Sequence, residues 1–403
     1  MERKLFKNFH DFPIKNFERI FIRLYVIQKF HVNLQFILSF MKKRDLKILF
    51  FGIFGLLIAS VFFGCFSYNV SINGNGKVRA QEIAIDDYDK ISVSNAFQYE
   101  YVHGAETSFL IIETDENLIP YFHCYVKDRT LYIDIKNPET GEMMTNYQMR
   151  SSKCLIRTGS PQLVQVTQVG SSEFTVLNEL TGNSFELSKT GSGFFCFRKD
   201  IQLSTLKLEQ VGSGSIIVRG VCRIGNIYVN RTGSGSIEFY NLIQGKTMEV
   251  GTAGSGLLLS DWDINVDLFE FNHTGSGNSV FNGIISAEQF NLQQTGSGSV
   301  SCNGFLDIGT FNISKAGSGS LSLKKGEVKV SRILSSGSGN ITGMGCTFME
   351  LSCNLVGSAY VTAAVTNALS YNMSGSGRLT VKGNPQVKSA VVAGSGSFVL
   401  VKD

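Results

Sequence analysis

The stretch Gly296-Ser-Gly-Ser-Val-Ser-Cys-Asn-Gly-Phe-Leu-Asp-Ile-Gly-Thr-Phe-Asn-Ile-Ser-Lys-Ala316 decides the architecture of this chain. It opens on Gly-Ser-Gly, and that triplet or a near copy recurs twelve times, starting at Gly170, Gly191, Gly212, Gly233, Gly254, Gly275, Gly296, Gly317, Gly337, Gly357, Gly375 and Gly394. The steps are 21 residues seven times, then 20, 20, 18 and 19. A near-constant period of this size marks one supersecondary unit stacked on itself. A flexible Gly/Ser linker has no reason to keep such a period. No triplet continues into Gly-Lys-Ser/Thr, so these are not phosphate loops.

Counted from the first glycine, position +4 reads Phe174, Phe195, Ile216, Ile237, Leu258, Ser279, Val300, Leu321, Ile341, Val361, Leu379 and Phe398. Position +15 reads Phe185, Leu206, Ile227, Met248, Phe269, Phe290 and Phe311, and position +17 reads Leu187, Leu208, Val229, Val250, Phe271, Leu292 and Ile313. Apolar residues alternating with polar ones at period two mark strands with one buried face. Each unit therefore holds two short strands, with a possible third near +10 to +12. One such unit cannot bury its apolar face alone, so units stack. The expectation is all-β: a parallel β-solenoid of about twelve coils, with Phe269, Phe290 and Phe311 layered in an aromatic column.

The triplet has two readings. A strand running straight through it turns the glycines inward and the serine out, and this is the one adopted; a corner would instead stack the serines as a hydroxyl ladder. The first glycine needs positive φ or very close approach. The third position needs only a small residue, since it is Ser172 and Ala359 in two copies. Gly191, Gly212, Gly233, Gly254, Gly275, Gly296 and Gly317 are thus structural. The serines lack a general base, since His273 is the only histidine in the array, so they are not nucleophiles.

Of the 403 residues, positions 1–47 hold 11 Lys/Arg against 4 Asp/Glu, which more than accounts for the formal charge of +4. The remainder is slightly acidic, which gives no electrostatic case for nucleic acid as partner. Met41-Lys42-Lys43-Arg44, the apolar run Ile48–Phe63 and Gly64-Cys65 read as a lipoprotein-type signal peptide over 41–64, with Cys65 carrying the lipid. Residues 1–40 read as an extension produced by a start codon assigned upstream of Met41. Residues 65–80 form the anchor and tether. The expected location is the cell envelope, as an outer-membrane lipoprotein whose leaflet stays open. Of the eight cysteines, Cys196, Cys222, Cys302, Cys346 and Cys353 show no matching phase between neighbouring coils, and no spacing suits a metal finger, so those other than Cys65 read as mostly free thiols with no metal and no cofactor.

Residues 81–157 are also strand-like and lead into the array at 158–403. Gly74-Asn75-Gly76 followed by Arg79, then Ile91-Ser92-Val93, Asp115-Glu116-Asn117-Leu118 and Thr130-Leu131-Tyr132-Ile133, all ahead of Gly-Ser-Gly coils, resemble the head-GIN-domain family. These are auto-transporter adhesin head domains, found mostly as secreted or lipid-anchored proteins of Bacteroides-type bacteria. The resemblance covers about residues 70–403. It implies a right-handed β-helix-like fold and an envelope location, and it transfers no catalytic residue.

The functional expectation is a non-enzymatic, lipid-anchored module that binds a glycan or a surface protein. One alternative is a polysaccharide-active β-helix enzyme, which needs carboxylates sharing phase on adjacent coils. The densest acidic stretch, Asp261, Asp263, Asp267 and Glu270 with His273, runs around a single coil instead. Another alternative is a scaffold polymerising through the solenoid ends. Trp262, the single tryptophan, reads either as a sugar-stacking platform or as a partly buried turn residue.

Overall fold

A computed structural model describes residues 70–402. The extension 1–40, the signal segment 41–64 and Cys65 lie outside the described residues.

From Gln165 onward the chain is a stack of coils, built up to Gly296 from one short and one long strand each, and from Ser299 to Gly375 from one continuous strand each. The short strands, such as Glu173–Val176, Phe194–Phe197 and Ser215–Val218, pair in parallel with their counterparts one coil away. The long strands, such as Leu180–Thr190, Ile201–Val211 and Cys222–Gly233, do the same. The possible third strand near +10 is therefore the first part of the long one. Its inward row runs Leu180, Ile201, Cys222, Ile243, Ile264, Ile285, Leu306, all buried and all in register. Stacking identical phases puts like residues over one another. Phe269, Phe290 and Phe311 stack with ring centroids 4.6 Å apart, and Phe174 lies on Phe195 at 4.9 Å. Burying an aromatic ring in such a column contributes a few kcal/mol by area alone.

The triplet is a bend, not a straight strand. All twelve first glycines have φ between +99° and +121°, where a side chain is strained. Approach is also close: a Cβ on Gly254 would stand 2.5 Å from the Gly233 carbonyl oxygen. Corner amides bond coil to coil, Gly193 N–H to Gly170 O at 3.0 Å and Gly235 N–H to Gly212 O at 2.9 Å. The serines still point outward, and every one from Ser171 to Ser395 is exposed. The outward serine was right and the straight strand wrong, because positive φ at the glycine turns the chain while leaving the next side chain on the convex side.

Shorter coils lose their residues elsewhere. Register shifts fall between Cys302 and Phe305, Gly343 and Thr347, Phe348 and Glu350, and Leu369 and Ser370. Meanwhile Gly317, Gly337, Gly357 and Gly375 stay paired in sequence.

Ahead of the coils the pairing is mixed, parallel and antiparallel. Lys90–Val93 and Gln98–His103 pair in parallel with the first coil strands Gln165–Val169 and Glu173–Val176. Thr130–Ile135 and Leu155–Ser160 cover their other edges. Thr130–Ile135 in turn forms a hairpin with Phe122–Lys127 through Asp128 and Arg129, both at positive φ. Part of the expected tether is strand: Val78–Glu82 pairs antiparallel with Phe109–Asp115. Its Gly74-Asn75-Gly76 turn is held from forty residues away. Asn117 Nδ2 donates to Asn73 O at 2.9 Å, and Asn75 N–H donates to Asn117 Oδ1 at 3.0 Å. The Asp115 carboxylate lies so close to Gly74 that no side chain fits there. Hydrogen bonds from the Ser151 hydroxyl, then from Ser152, hold the Asp115 carboxyl below its ordinary pKa. These contacts tie together the scattered pieces of the sequence motif.

Candidate functional site

Opposite the glycine bend, a three-residue corner joins each short strand to the long one. Its first residues are Arg198, Arg219, Tyr240, Asp261, Asn282 and Asn303. Its second residues are Lys199, Gly220, Asn241, Trp262, Gly283 and Gly304. Backbone bonds keep the corner stacked, with Tyr240 N–H to Val218 O at 2.9 Å and Asp261 N–H to Phe239 O at 2.8 Å. A side chain at Gly283 or Gly304 would collide with backbone of the preceding coil. Trp262 thus stands in a row whose next two members have no side chain.

Trp262 is 55% exposed. It is a turn residue, but not a partly buried one. Beside it runs a hydrogen-bonded ladder: Asn282 Nδ2 donates to Asp261 Oδ1 at 2.7 Å, and Asn303 Nδ2 to Asn282 Oδ1 at 2.9 Å. Tyr240, Ile284 and Phe305 at the same corner are also exposed. The Arg219 guanidinium lies 5.7 Å from the Tyr240 ring centre, and Tyr240 Oη donates to Glu238 at 2.5 Å. That bond, with the Glu238 charge and some burial, raises the Tyr240 pKa. The corner therefore combines an open indole face, a second aromatic and a row of carboxylate and amide groups. Such a mixture suits a ligand with both apolar faces and hydroxyls.

A second concave surface, of about 340 Å³, lies on the long-strand face. One row of it is Glu270, Asn291, Asn312 and Arg332; the next is Asn272, Gln293, Ser314 and Leu334. Asn312 Nδ2 donates to Asn291 Oδ1 at 2.9 Å, and Gln289 Nε2 to the same oxygen at 3.0 Å. This amide-rich groove had a sequence signal, the recurrence of Asn and Gln at +16 and +18, which the search for carboxylate pairs passed over.

The acidic stretch is dispersed. Asp261 belongs to the corner ladder, and Asp263 Oδ1 accepts the Ile284 N–H at 2.7 Å, a backbone cap that Asp200 repeats on Val221 at 2.9 Å. Asp267 is exposed on the long strand, and Glu270 lines the groove. His273 is inside the coil, its Nδ1 2.9 Å from Thr252 Oγ1 and 3.1 Å from Ser279 Oγ, and burial lowers its pKa. None of the seven described cysteines is disulfide-bonded. Burial pushes the thiols of Cys222, Cys302, Cys346 and Cys353 up to about 12, which makes them core residues and not nucleophiles.

Among solved structures, a protein described as a "putative lipid binding protein" from Parabacteroides distasonis is similar at 22% identity, covering 82% of this chain and 99% of its own, with a TM-score of 0.27. A "putative adhesin" from the same organism is 19% identical over 82% of this chain and all of its own, TM-score 0.27, and one from Bacteroides fragilis is 14% identical with the same coverage, TM-score 0.26. No curated protein matches the chain. The family described as "putative auto-transporter adhesin, head GIN domain" matches residues 87–258 and 264–385, spanning most of the strand block and of the glycine bends but not Asp261, Trp262 and Asp263. By that match, this chain belongs to the head GIN domain family.

Proposed function

We propose that this protein is a non-enzymatic module of the cell envelope, held to a membrane through lipid on Cys65, that binds a glycan at the Trp262 corner. The observation behind this reading is the exposed indole of Trp262 beside the Asp261–Asn282–Asn303 ladder. A sugar ring has an apolar C–H face that stacks on an indole, and hydroxyls that pair with carboxylates and amides. Glycoside cleavage needs two carboxyl groups flanking one bond, with one free to give a proton. Here Asp261 is bonded to Asn282 and Asp263 caps a backbone amide. The groove lined by Asn291 and Asn312 is a second surface of the same chemistry.

The test is a glycan array probed with the mature protein and with Trp262→Ala. The expected result is binding to one glycan class that falls at least ~10-fold in the variant, about 1.4 kcal/mol, with an unchanged circular dichroism spectrum. Equal binding by both proteins removes Trp262 from the site, and no binding to any glycan overturns the reading. Protease shaving of cells tests the placement. Cleavage on intact cells is what an outward-facing adhesin requires, and cleavage only after lysis makes this an internal envelope module.

A further inference from the structure

Two residues before each of the first nine first glycines lies a position that faces inward, beneath the bend; the last three glycines have Leu355, Met373 and Val392 there instead. Along the stack it reads Gln168, Lys189, Gln210, Arg231, Thr252, His273, Gln294, Lys315 and Ser335. Each is in register with the next, and none is more than 4% exposed. Every member can donate a hydrogen bond, and none is acidic. The amide and guanidinium donors serve the bend. Gln168 Nε2 donates to Ser172 O at 2.6 Å, Gln294 Nε2 to Gly298 O at 2.7 Å, and Arg231 Nη1 to Gly233 O at 3.1 Å. The members reach up beneath the third triplet residue of the next coil: Lys189 lies under Gly214, Arg231 under Gly256 and Lys315 under Gly339. Where the column shortens to Ser335, the coil above carries Ala359.

The order within the column alternates. A neutral residue precedes each ionisable one, giving Gln168–Lys189, Gln210–Arg231, Thr252–His273 and Gln294–Lys315. The Oε1 atoms of Gln168, Gln210 and Gln294 are buried without a partner, as are Lys189 Nζ, Arg231 Nε and Nη2, and Lys315 Nζ. The glutamine oxygens thus stand one coil before the cations. Thr252 and His273 do bond each other. Neighbouring coils lie about 4.8 Å apart, so alternation keeps like charges near twice that distance and halves their repulsion. Inside the stack, salt screens that repulsion weakly.

We infer that this column is a parity device: the unit that stacks is a pair of coils, 42 residues long, with a cation in at most one of the two, and the column fixes which coil lies on which. The glycine row cannot do this, because it is the same in every coil; the inward row Val176, Phe197, Val218, Phe239, Ser260, Phe281 and Cys302 alternates too, in size and not in charge. A stack that skips the coil of Gln210 keeps the glycine row but sets Lys189 directly on Arg231.

Two single-coil deletions in the full chain test it by thermal melting. Removing 191–211 takes out Gln210 and juxtaposes Lys189 and Arg231, whereas removing 212–232 takes out Arg231 and leaves no cations adjacent. The first deletion is expected to melt at least ~5 °C below the second, and adding Arg231→Gln to it is expected to recover most of the difference. Equal melting, or no recovery, overturns the inference. If neither deletion folds, the exchange Lys189→Gln with Gln210→Lys in the intact chain replaces them. Its melting temperature must fall and recover with Arg231→Gln; an exchange as stable as the parent overturns the inference equally.

Discussion

Each coil turns twice, and the two corners are built on opposite terms. At the glycine bend, backbone stacks on backbone at closest approach, φ hardly varies, and the glycines stay paired even where the coil shortens from 21 residues to 18. At the opposite corner the second residue passes through Lys199, Gly220, Asn241, Trp262, Gly283 and Gly304, and the bulges of the shorter coils begin there, between Cys302 and Phe305. A corner that is sterically full has no room for variety, while one that meets solvent has. The difference separates the part of the repeat that maintains the stack from the part that can be fitted to a ligand.

That comparison can be broken or sharpened by mutation. The largest effect should come from the interior both corners enclose. Phe290→Ala empties the centre of a three-ring stack and should cost about 3–5 kcal/mol in denaturant unfolding. A loss below about 1 kcal/mol would mean that the corners, and not the interior, hold the coils together.

Next is the cation under the bend. Burial depresses the Lys189 ammonium to about 8, so the folded state sheds its proton before the unfolded chain does. The unfolded chain then binds more protons between about pH 8 and 10.4, and stability should rise with pH across that window by up to roughly 3 kcal/mol. Below about pH 8 the full penalty is present. Lys189→Gln should remove that rise, measured as the difference between the two proteins' stability–pH curves. Parallel curves would mean that the cation is solvated.

Gly254→Ala introduces positive-φ strain and a Cβ 2.5 Å from the Gly233 carbonyl oxygen, and should cost about 2–3 kcal/mol. Lys199→Ala, exposed at the other corner, should stay within ~0.5 kcal/mol. Equal losses would abolish the distinction between the corners. The smallest stability effect is expected at Trp262, whose change to alanine should also stay within ~0.5 kcal/mol while glycan binding is lost.

Much of this was legible in the chain itself. Period-two alternation placed Phe185, Phe269 and Phe290 inside, and phase arithmetic placed the cysteines out of reach of one another. The same alternation, carried one step past +15 and +17, reaches +19 and so predicts that Lys189, Arg231 and Lys315 face inward. Charge hid them, because a lysine in a strand ordinarily reads as a solvated residue. Nor could the tether reading of residues 70–80 anticipate Asp115 and Asn117, which clamp its turn from forty positions away. Asp263 looked chemical by composition and is a backbone cap by position.

The sequence alone determined the repeat, the parallel stack, the inward aliphatic and aromatic rows and the need for glycine at the bend, because each follows from spacing along one strand. Tertiary structure decided whether the triplet bends, which acids share a column, how far Trp262 stands out, and that buried cations are spaced by neutral partners. Those features depend on what lies one coil above and below, 21 residues away, where geometry across the stack and not order along the chain chooses the neighbour.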